Sequence, residues 1–186
     1  MGKVKFNIKN VHYAIYNEDD GTYGVPVHIP GTVSLSLEQQ GELSPFYADG
    51  IKYYTSVSNG GYQGDLVNAL IPDSFRKDVL GEVEDNNKVL FENSNTNTVV
   101  FALGFQIDGN NKSTYFWFYN CTATRPSVEA TTNEEKKTPN TDTLNISCAA
   151  NADGLVRTKT TPDTPEEITS NWFKDVYIEN KQIAGA

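Results

Sequence analysis

"TVVFALGFQIDGNNKSTYFWFYNCTA", Thr98 to Ala123, decides the fold. Val99, Phe101, Leu103, Phe105 and Ile107 recur at every second position, so in an extended chain they share one face. "DGNN" supplies the turn, and "STYFWFYNCTA" returns as the second strand of a hairpin. In that second strand both alternating sets are apolar: Phe116 and Phe118 on one side, Tyr115, Trp117 and Tyr119 on the other. A strand apolar on both sides needs a cover on both sides. One cover is the core; the candidates for the other are a helix or a neighbouring subunit.

Working outward, the same period recurs. Val4, Phe6 and Ile8 alternate with polar residues, as do Val11, Tyr13 and Ile15, which predicts two short strands or one strand with a bulge near Asn10. "TVSLSLE" sets Val33, Leu35 and Leu37 on one face and Thr32, Ser34 and Ser36 on the other. "QQGELSPFYADGIKYYTSVSNGGYQG" places Phe46, Tyr47, Ile51, Tyr53 and Tyr54 around an Asp-Gly turn signal, a hairpin with an aromatic skin. The period changes at "IPDSFRKDVLGE", where Pro72 and Asp73 open a two-turn helix, Phe75 and Val79 share a face, and Gly81 supplies the stop. Further strands are expected at "DTLNISC" and in "DGLVRTK", a turn leading into a strand. Near the end, Thr164 is expected as N-cap, with Pro165 at the first helical position and Glu166 and Glu167 in the first turn. Ile168, Trp172 and Val176, spaced by four, would dock that helix.

Composition bounds the function. A chain of 186 residues can form one domain with a real core, or a compact domain with long excursions, and ten Tyr and nine Phe favour strands over helices. A net charge of −9 argues against nucleic-acid affinity, because phosphate contacts need clustered Lys and Arg to release counterions. No apolar run approaches the roughly 20 residues that span a bilayer, and "MGKVKFNIKNVHY" alternates instead of presenting a signal-peptide core. The expectation is a soluble protein made in the cytoplasm. There Cys121 and Cys148 stay free thiols, and the sequons at Asn120 and Asn145 go unglycosylated.

No catalytic, metal or cofactor motif emerges. His12 and His28 both sit in strand-like contexts outside any triad pattern. The two cysteines lack the grouped ligands of a zinc site. Placing Gly21 of "YNEDDGTYG" at the invariant glycine of a calcium loop puts Tyr16 and Val27 at ligand positions, so that pattern fails. The glycines of "NGGYQG" are misspaced for phosphate and suit tight turns or a hinge. Nothing selects a carboxylate pair among the 24 acids, so hydrolase chemistry keeps only its base rate.

The segments "KNVHYAIY", "GTVSLSLEQQGELSPFYADGIKYY", "SNGGYQGDLVNALIPDSFRKDVLGE", "YNCTATRPSVE", "TLNIS" and "NWFKDVYI" together resemble the major tail protein, or tail-tube protein, of long-tailed phages with non-contractile tails that infect Gram-positive bacteria. The resemblance runs in order from about Lys9 to Ile178. It implies a mainly β fold: two packed antiparallel sheets, a sandwich or barrel, with one or two short flanking helices and long hairpin arms, all in a single domain over 1–186. It also implies a structural virion protein, not an enzyme, needing no cofactor. Such proteins form homohexameric rings, made in the host cytoplasm and stacked into a tail tube that carries the genome. Tape-measure, tail-terminator and distal tail proteins are the implied partners. DNA would pass through the lumen without specific binding, and no membrane is involved.

Carried onto this chain, 34–64 would be the hairpin contributing to the inner barrel and to the neighbouring subunit, with Phe46, Tyr47, Tyr53 and Tyr54 as interface residues. Packing of those aromatics in their own core is the competing reading. Residues 125–143 would be a second, polar arm. The rival function is a secreted β-sandwich module that binds carbohydrate or acts as an adhesin.

Overall fold

The computed structural model describes residues 4–110, 112–128, 130, 132 and 139–178. In chain order its strands are β1 (Lys5–Asn17), β2 (Thr22–Tyr23), β3 (Val27–His28), β4 (Thr32–Gln39), β5 (Leu43–Ala48), β6 (Ile51–Val57) and β7 (Tyr62–Asn68). Then come helix α1 (Asp73–Asp78), β8 (Val83–Glu84), β9 (Leu90–Phe91), β10 (Phe101–Gly109), β11 (Thr114–Ala123), β12 (Asp142–Cys148), β13 (Arg157–Lys159) and helix α2 (Glu166–Ser170). The chain is mainly β, as expected, with one large antiparallel sheet, two small ones and two short helices.

The large sheet runs β2-β1-β10-β11-β12-β7-β4, with β3 added to β1 and β13 to β11. Although β1 and β4 lie near opposite ends of this path, they touch. The sheet therefore bends over on itself, and its two halves face each other across one core. Val11 and Tyr13 of β1, Leu103 and Phe105 of β10, Leu144 and Ile146 of β12, and Leu66 of β7 are all buried there. Phe105 stacks on Phe116 at 4.9 Å between ring centres, and Tyr62 meets Phe118 edge-on at 5.1 Å. Helix α1 and the turn after it close one end, with Phe75 of the helix and Val79 and Leu80 just beyond it fully buried. Gly81 stops it at φ 74°, and the Glu82 N–H reaches back six residues to the Arg76 carbonyl at 3.0 Å.

Bulges decide which residues face the core. β1 is a single strand, with register shifts between Lys5 and Ile8 and between Lys9 and His12. Asn10 takes φ 50° there, and its amide donates to the Gln106 Oε1 at 2.8 Å. In β4 the expected face breaks at its start: a shift between Thr32 and Ser34 leaves Val33 opposite nothing and 57% exposed, while Leu35 and Leu37 stay against the core. A further bulge lies in β11, where Asn120 has φ 45° and one extra residue separates the pairs Phe101–Cys121 and Leu103–Phe118. It exchanges the faces, so Phe116, Phe118, Cys121 and Ala123 all enter the same core.

The second cover of β11 is the chain's own C-terminal segment. Trp117 and Tyr119 pack with Trp172, and with the partly buried Ile168, Phe173 and Val176. The Trp117 indole N–H donates to the Trp172 carbonyl at 3.2 Å, and the Trp172 indole N–H donates to the Phe116 carbonyl at 3.3 Å. The expected cap is corrected: Pro165, not Thr164, occupies the N-cap position, and no side chain caps the helix. The Thr164 hydroxyl points backwards and accepts from the Thr161 N–H at 2.9 Å, closing the preceding turn instead.

Candidate interaction surface

Beyond Gln39 and before Tyr62, the paired strands β4 and β7 leave the body of the protein as the hairpin β5–β6. Asp49 and Gly50 turn it with φ 52° and 73°, as a two-residue turn with both centres left-handed requires. Its neck is tight. The Gln40 N–H donates to the Gly61 carbonyl at 2.9 Å and the Gly60 N–H to the Gln40 carbonyl at 2.7 Å. A Cβ on Gly41 would sit 2.2 Å from the Ser58 carbonyl oxygen, so only glycine lets the strands cross so closely.

All four aromatic residues singled out from the sequence lie on this hairpin, and none packs in the core. Phe46 is 60% exposed, Tyr47 63%, Tyr53 72% and Tyr54 63%. Phe46 and Tyr54 are cross-strand partners on one face, while Leu43 and Val57 pair on the other. Tyr53 is the extra residue of a bulge between the pairs Phe46–Tyr54 and Tyr47–Lys52. From 41 to 60 every residue is exposed except the half-buried Ala48 and Thr55. Sequence reading missed Leu43 and Val57 as members of this surface. Their alternation with Ser44 and Ser56 was the available signal.

A second feature, of mixed polarity, lies between the two ends of the bent sheet. An open groove of about 910 Å³ separates the first half of β1 from β4, lined by Phe6, Ile8, Val33, Leu35 and Phe105, among others. Phe6 and Val33 on its rim are more than half exposed. Lys5, Lys9 and Arg157 stand around it, and Lys9 pairs with Asp108 at 2.6 Å.

The polar arm expected over 125–143 lies partly outside the described residues. Its first residue is anchored: Arg125 pairs with Glu92 at 3.0 Å and donates to the Thr96 carbonyl at 3.0 Å. Val128 is almost fully exposed.

The titratable groups with perturbed surroundings serve structure. His12 stacks on Phe173 at 4.4 Å and lies 5.0 Å from His28; burial holds its imidazole below the ordinary value of 6.5. Burial pushes the Tyr13 and Tyr119 phenols up to about 12, and Tyr13 donates to Asp78 at 2.8 Å. Glu84 is held down at about 2 by hydrogen bonds from Lys77, at 2.8 Å, and Lys88. Among the described residues no three His, Cys, Asp or Glu side chains group as metal ligands. Both sequon asparagines lie within strands with their amides engaged, Asn120 with the Ala150 carbonyl and Asn145 with Asp65. No family model matches the chain, and no curated protein does.

Proposed function

We propose that the protein is a structural subunit that assembles with copies of itself, as the tail-tube protein of a non-contractile phage tail does. The observation that carries this reading is a hairpin apolar on both faces and covered on neither. Four aromatics of roughly 200 Å² each, about two-thirds exposed, together with Leu43, Ile51 and Val57 at 63–70%, present about 800 Å². Summed over both faces, that matches the share one partner contributes to a standard interface, about 800 Å². A sugar platform needs aromatics on one accessible face. Apolar side chains on both faces suit an arm enclosed by protein, which favours assembly over the carbohydrate-binding or adhesin reading.

In this reading the hairpins close an inner barrel around the ring, removing the exposed edges that a lone two-stranded arm presents. Six-membered rings stacked head-to-tail give an open-ended tube. Its lumen passes DNA without holding it, and tape-measure, terminator and distal tail proteins complete the tail.

Negative-stain imaging and sedimentation of the purified protein across a concentration series test the proposal. Hollow tubes or six-membered rings are expected from the wild type. The variant Phe46→Ser/Tyr54→Ser should stay monomeric with an unchanged thermal midpoint, because neither side chain touches the core. A wild type that is monomeric at every concentration, or a variant that assembles as well as wild type, overturns it.

A further inference from the structure

Cys121 of β11 and Cys148 of β12 are direct cross-strand partners, both fully buried, with their sulfurs 2.7 Å apart. The Thr124 N–H donates to the Asn145 carbonyl at 2.9 Å, and the Ala149 N–H to the Asn120 carbonyl at 3.1 Å. Because hydrogen-bonded and non-hydrogen-bonded pairs alternate along an antiparallel ladder, these two bonds leave Cys121–Cys148 at a non-hydrogen-bonded position. There the Cα atoms approach to about 4.5 Å, inside the roughly 4.4–6.8 Å that a disulfide spans. The bulge at Asn120 creates the arrangement, since without it Cys121 would face away from the core.

The pair also occupies a particular row of the sheet. Register runs from Ile15 through Phe101, Cys121, Cys148 and Tyr62 to Gln39. Tyr62 and Gln39 are the last paired residues before the exposed hairpin leaves the body.

We propose that Cys121 and Cys148 are a covalent cross-link site: on meeting a low-molecular-weight disulfide they join as one intramolecular disulfide, locking β11 to β12 in the row that roots the β5–β6 hairpin. One cysteine thiolate attacks a sulfur of the external disulfide and expels its other half as a thiolate. The second cysteine then attacks the protein sulfur of that mixed disulfide and expels the remaining half. Two protein thiols are oxidised, one external disulfide is reduced to two thiols, and the two cysteine protons leave with them. Burial pushes the Cys121 thiol well above its ordinary range, so the closed sheet is unreactive and the exchange begins when the β11–β12 edge opens. Once the first sulfur is captured, the second stands next to it.

The full-length protein is incubated with oxidised glutathione in sub-denaturing urea, then unfolded and titrated for thiols, with intact mass in parallel. Expected is the loss of both thiols with a mass lower by about 2 Da, the two hydrogens removed. With the ring spanning Cys121 to Cys148, the thermal midpoint should rise by about 5–10 °C. Cys121→Ala and Cys148→Ala should each abolish both the mass change and the oxidant-dependent rise, whatever their own stability. Retention of two thiols, a glutathione adduct on the wild type, or disulfide-linked dimers in place of the intramolecular bond overturns the proposal.

Discussion

Gly104 lies beneath the indole of Trp117, its cross-strand partner, with no side chain of its own in the way. In Gly104→Ala the new Cβ would lie 2.5, 2.6 and 2.7 Å from three carbons of the six-membered ring. The backbone there does not demand glycine, so alanine by itself would be favoured by about 0.4–1 kcal/mol through the unfolded chain. The clash opposes this. Trp117 is fully buried and cannot tilt away without breaking its bond to the Trp172 carbonyl. Overpacking costs about 1–3 kcal/mol, and stranding a buried carbonyl about 1–3 more. The net loss is about 2–4 kcal/mol, or about 5–15 °C in thermal midpoint for a domain of this size.

The assay is specific because the chain holds only two tryptophans, and both belong to this cluster. Intrinsic fluorescence of the folded variant should shift to the red, and the thermal midpoint should fall. Pairing the change with Trp117→Leu should make the two effects less than additive, since the smaller side chain leaves room for the methyl group. An unchanged or raised midpoint with an unshifted emission spectrum would refute the reasoning.

Three further outcomes follow from the geometry. Gly64→Ala puts a Cβ 1.8 Å from the Ser36 carbonyl oxygen, a backbone atom that cannot swing aside, so β4 should part from β7; hydrogen exchange of the β4 amides reads this as lost protection. His12, held below its ordinary value by burial, binds its proton less readily folded than unfolded, so stability should be full above pH 6.5 and decline as pH falls through it. Thermal melts at pH 7.5 and 5.5 should differ more for the wild type than for His12→Gln. Because each copy carries a net charge of −9, raising salt should promote self-association, and light scattering that falls with added salt would count against it.

Features that depend on residues near each other in sequence were legible. The β10–β11 hairpin, helix α1 with its glycine stop, and the bulge at Asn10 needed only period, turn residues and a left-handed asparagine. The double cover of β11 was legible as a requirement; the segment that meets it was not, because α2 ends at Ser170 and Trp172 and Val176 lie beyond it rather than on the helix face their spacing predicts. What escaped were consequences of tertiary register. β1 pairs with β10, and β7 with β12, across long stretches of chain whose alignment no local pattern encodes. The bulge at Val33 follows from how β4 meets β7, and the meeting of Cys121 with Cys148 follows from the bulge at Asn120. Thr164 does not cap the helix; its hydroxyl accepts from the Thr161 N–H of the preceding turn instead. Composition marked the hairpin's aromatics as residues that favour burial; it carried no sign that they stay exposed in the folded chain.

The outer face of β11 is covered by residues made some fifty positions later, Trp172 and Phe173. A nascent chain emerging at about 5–20 residues per second therefore exposes Trp117 and Tyr119 for seconds before their cover exists. Throughout that interval the β5–β6 hairpin is already outside the ribosome, its aromatic residues exposed as they remain in the folded chain. Neighbouring nascent copies on one message would then meet with two sticky surfaces each. Only one of the two is shielded when synthesis reaches the C-terminal segment, so translation itself orders the events: the outer face of β11 is sealed, and the hairpin keeps its apolar surface exposed.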